Sequence, residues 1–370
     1  MMNALTMNKM LRPSLLLALA AFATACQEPT GTGSLARLNA AAALADYNAM
    51  DGVLQSSGWK NFQMTASRMD AVKFGHAPFA AARAVATLRE LAPGGDPRAF
   101  ASAMASVASA AADNTASIPL ISDANRGKTF VYNAQIHDWQ IDPARTGAPS
   151  NGVRFITYEP KGAEPDPTKP TGHADLIDLG NANPNSLALR LVVVEGNLTV
   201  LDYHTTVEGS DGSGHVTVAG YLQNSRDKLA FDIDVRGQNS GGIERGDISL
   251  ELGIASREFK VSGDVHSEKQ NGSESSTVDL SVRHGTASFR VDVGNVGGNL
   301  SGEIHLNNAP FSTVSGTDKQ PVFKTPSGGD ISGAEGLVLW RIFDITEDVF
   351  DLFEDLIDPI DELVILAFIL

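Results

Sequence analysis

From Lys128 to about Phe323 the chain alternates apolar and polar residues with a period of two. That is the spacing of strands that bury one face and wet the other. Leu229, Phe231, Ile233 and Val235 are interleaved with Ala230, Asp232 and Asp234. Ile248, Leu250, Leu252 and Ile254 are interleaved with Ser249, Glu251 and Gly253, and the same phase returns at Phe259, Val278, Phe289 and Leu300. Turn-forming residues separate these runs at Gly209–Gly212, Asn224–Asp227, Gly237–Gly242, Asn271–Gly272 and Gly294–Asn299. Such short, regular spacing predicts successive hairpins, hence an antiparallel meander of roughly ten to thirteen strands over 128–325. Twist accumulates across so wide a sheet, so it is expected to curl into a barrel or half-barrel, or to form two packed layers.

Helical spacing frames the β-region on both sides. Residues 35–117 are Ala-rich; Leu35, Leu38, Ala42 and Ala45 follow Ser34, a candidate N-cap, and Gly52 and Gly58 are read as the far end. Further helices are expected over Phe79–Leu91 and over Pro97–Ala112, the latter capped by Asp96. The expectation is a small helical cap on the β-domain, with a spacer or partner-binding hairpin as the alternative. Pro160, Pro165, Pro167 and Pro170 predict an irregular loop over Glu159–Pro170, and Pro310, Pro321 and Pro326 should end the sheet. Over 334–370, Trp340, Phe343, Phe350 and Phe353 form an apolar stripe beside many acids, and the tail from Leu363 to Leu370 is wholly apolar. Membrane-lying helices favour Lys and Arg on their polar side, and Arg341 is the only cation here, so this helix and tail are expected to pack on the sheet. The fold class is therefore α+β, β-dominant: an N-terminal helical segment, a large antiparallel sheet and a C-terminal amphipathic helix.

At the start, Lys9 and Arg12 precede the apolar stretch Leu15–Phe22, and Ala23-Thr24-Ala25-Cys26 closes it with small residues. This is a secretory signal, too short to span a bilayer, which needs about 20 apolar residues. Cys26 is the one cysteine of the chain. Its position resembles that in the bacterial lipoprotein signal, whose last four positions are typically Leu, two small residues and the cysteine that becomes the acylated mature N-terminus, with Ala23 here in place of the Leu. The resemblance implies a signal peptide over 1–25, fatty acyl chains on Cys26 and a tether over 26–34. It also implies an outer-membrane address, because Gln27 stands where inner-membrane retention commonly uses Asp. Ordinary cleavage after Ala25 is the alternative. Two or more acyl chains anchor stably where one does not.

Composition narrows the partners. The formal charge is −16, and loss of Lys9 and Arg12 with the signal makes it more negative. Nucleic acid is a poor partner for such a chain, since phosphate binding rests on Lys and Arg. A single cysteine excludes an internal disulfide and any multi-cysteine zinc site. The sequence contains no nucleophile elbow, P-loop, dinucleotide fingerprint with its helix, or zinc helix of the H-E-x-x-H type. Eight histidines are scattered, and His173 and Asp175, two apart in a strand, should face the same side. Asp211 to Gly214 and Asp232/Asp234 offer oxygen ligands without calcium-loop spacing. No catalytic residue, cofactor or metal site is assigned. The expected partners are the membrane, through Cys26, and either an envelope protein or a hydrophobic ligand. A transmembrane barrel is disfavoured by Asp232, Asp234 and Arg290 on the face away from the core and by few Tyr and Trp for aromatic girdles.

Overall fold

Residues 40–69, 121, 123–180, 186–210, 213–271, 273–317 and 320–331 are described in the computed structural model. The signal with Cys26, the start of the first helix at Ser34, the helices expected at Phe79–Leu91 and Pro97–Ala112, Asp211-Gly212 and the helix over 334–370 lie outside them.

Among the described residues two helices precede the sheet: α1, Ala40–Leu54, and α2, Ser57–Met69. The second corrects the sequence reading, which placed the helix end at Gly58. Ser56 caps α2, accepting a bond from Trp59 N at its Oγ (3.4 Å), and Gly58 is the second residue of that helix. A β-carbon at position 58 would lie 2.7 Å from Val200 Cγ1, so the glycine permits close helix–sheet approach and is not a stop. Trp59 and Phe62 of α2 and Met50 and Val53 of α1 are fully buried.

Fifteen strands then form one sheet: β1 Lys128–Asn133, β2 Asp138–Ile141, β3 Gly152–Lys161, β4 Glu164–Asp178, β5 Ser186–Glu195, β6 Leu198–Ser210, β7 Ser213–Gln223, β8 Lys228–Ser240, β9 Ile243–Ile254, β10 Phe259–Gln270, β11 Ser273–His284, β12 Ala287–Val296, β13 Asn299–Leu306, β14 Ala309–Thr317 and β15 Gln320–Lys324. From β3 to β15 every strand pairs antiparallel with its successor, as alternation and turn spacing require. The sheet is mixed, however, because β1 pairs antiparallel with β2 and parallel with β3. Among the described residues it is neither split in two nor closed: β2 and β15 are its edges. Both edges are short, and Pro321 in β15 removes a donor from the rim, which discourages further pairing.

The expected loop at Glu159–Pro170 is instead strand. Pro160 pairs with Pro165 and Tyr158 with Pro170, with register shifts between them. β4 meets β5 only from Gly172 onward, and β1 meets β3 only as far as Phe155. The prolines therefore occupy a two-stranded extension in which each strand has a free side, where a missing N–H costs no ladder bond. Pro310 and Pro321 also lie within strands, β14 and β15, rather than ending the sheet.

Register lines up like with like on the inner face. Val216, Val235, Ile248, Val265, Val278 and Val293 form one rung across six strands. Gly220, Phe231, Leu252, Val261, Val282 and Phe289 form another, in which Tyr203 and Phe231 approach over Gly220, ring centroids 6.0 Å apart. Each such aliphatic or aromatic side chain contributes about 1.5–3 kcal/mol on burial. One rung nearer the opposite ends of the strands the residues turn small: Gly214, Gly237, Gly246, Ser267 and Ser276.

Candidate functional site

The other face carries most of the titratable groups, and cross-strand pairing consumes many of them. Arg154 on β3 stands directly opposite Asp175 on β4, and its Nε and Nη2 donate to the two carboxylate oxygens at 2.6 and 2.7 Å. His173 shares that face, as its spacing predicts, but its Nε2 is 3.8 Å from Asp175 Oδ2. Burial pulls the His173 imidazole below its usual range; attraction to Asp175 opposes this and Arg154 reinforces it. The pair singled out by spacing is thus brought together with its carboxylate already engaged by arginine.

The pattern repeats along the sheet. Asp234 on β8 accepts from Arg236 Nε (2.9 Å) and lies 2.7 Å from His215 Nε2 on β7. Burial alone would raise the Asp234 carboxyl, but the bonds from His215 and Arg236 outweigh it and hold the group below the usual carboxylate range. His266 pairs with Asp247, Lys260 Nζ with Glu251 (2.6 Å), Arg290 with Asp279, and His305 with Glu303 (3.2 Å). One outward row is nonetheless acidic on four adjacent strands: Asp264, Asp279, Asp292 and Glu303 occupy mutually opposite positions. Among the described residues only Arg290 bridges two of them, Asp279 and, at 3.5 Å, Asp292.

A second polar cluster lies where α1 meets the sheet. Asp46 is 2% exposed, bonded to His284 Nδ1 at the end of β11, and its Oδ1 is 3.9 Å from Arg257 Nη1. Arg257, in the 3-10 turn between β9 and β10, donates from Nε to Asp227 at 2.9 Å. Asn224 Nδ2 donates to Gly52 O (2.9 Å), and in α2 Asn61 Nδ2 and Ser57 Oγ both donate to Glu195. Chemically, a buried carboxylate that fixes an imidazole can support acid–base work. Here its visible effect is to tie α1 to two hairpin turns.

Sequence reasoning missed Asp46 and Arg257. The signal was present, since Asp46 falls on the same helical stripe as Ala49, Met50 and Val53, a lone carboxylate on an apolar face that needs a buried partner. Among the described residues no group of three or more His, Cys, Asp or Glu is arranged to hold a metal ion, and no helix is long and apolar enough to cross a membrane. Cys26 lies outside the described residues. Comparison with protein-family models, with curated proteins and with solved structures found no match.

Proposed function

We propose that this is a bacterial cell-envelope lipoprotein, held to the outer membrane by acyl chains on Cys26, whose sheet has a noncatalytic structural or binding role. The observation that carries the second half is the engagement of the outer-face acids and bases with one another. A catalytic acid, base or nucleophile has to be poised toward substrate. Asp175 and Asp234 are each held by an arginine, and Lys260 and Arg290 are each held by a carboxylate. The lipoprotein-type ending at Cys26 supports the address. In the expressing bacterium, Cys26→Ser should move the protein from the membrane to the soluble fraction. A mutant that fractionates like its parent removes the anchor from this reading.

The apolar inner face favours a second reading, a carrier of lipid or another hydrophobic ligand. In it the sheet curls as a half-barrel, and the amphipathic helix expected over 334–370 closes the space above the inner rungs. Protein lacking the signal and Cys26 would be purified and its lipid extract analysed by mass spectrometry. Co-purified lipid together with uptake of a fluorescent fatty acid supports the carrier, and absence of both overturns it.

A further inference from the structure

We draw no further inference here: the strongest candidate, the rung of small residues Gly214, Gly237, Gly246, Ser267 and Ser276 across five strands of the inner face, carries none because nothing in the structure shows what covers it.

Discussion

Two glycines in neighbouring helices make opposite demands. At Gly52 in α1 an added β-carbon meets nothing within 4 Å, whereas at Gly58 in α2 it meets Val200 at 2.7 Å and Glu195 Oε2 at 3.0 Å. Gly52→Ala should therefore stabilise the fold by about 0.5–1 kcal/mol through helix propensity. Gly58→Ala should cost about 1–3 kcal/mol despite the same gain, because overpacking forces α2 off the sheet. Urea midpoints of the two variants check both signs. Titration supplies a second residue-scale test. His173 and Asp234 both have lowered values in the folded state, so each contributes stability that is present above its unfolded value and lost as pH falls through the folded one. Asp234→Asn should flatten the acid limb of the stability curve below about pH 4, the ordinary aspartate range. Denaturant midpoints against pH that coincide for parent and variant would count against the ion-pair account. Sequence showed that His173 and Asp175 share a face; it could not show that Arg154 reaches Asp175 first, because register between strands is set by the turn and not by spacing within a strand.

Among elements, β8 to β13 were legible from alternation and turn residues, since one buried face enforces a period of two. The early strands were not. β1 and β2 are too short to show a period, and in β3 and β4 the prolines that normally argue against a strand sit where no second neighbour needs their N–H. The missing α2 has a similar cause, for a glycine that serves packing reads like one that serves a stop. The outward acidic row is an element-level cost, since like charges directly opposite one another destabilise a sheet. Asp264→Asn should accordingly raise stability by roughly 0.2–1 kcal/mol and weaken the stabilising effect of added salt. Equal salt dependence in the two proteins would show that the row repels too weakly to matter. At the helix–sheet junction, Asp46→Ala leaves His284 without its carboxylate partner and removes the charge 3.9 Å from Arg257, which keeps Asp227, and should cost about 1–3 kcal/mol. Amide exchange should then quicken in α1 before it does in β9 to β12.

Over the whole molecule, β-dominance and the meander followed from the sequence, while the sheet's openness and its one parallel contact did not. Closure depends on whether the first and last strands meet, a long-range fact that no local pattern carries. The open form places heavy duty on the two rims. β15 hides five of the nine residues of β14 behind a strand of five, one of them a proline. A chain cut after Thr317 would offer β14, nine residues without that guard, as a template for the next molecule. Light scattering should then register growing polymers where the parent stays dispersed, so the last small strand would act less as a building block than as a stopper on a sheet otherwise able to lengthen from one molecule to another.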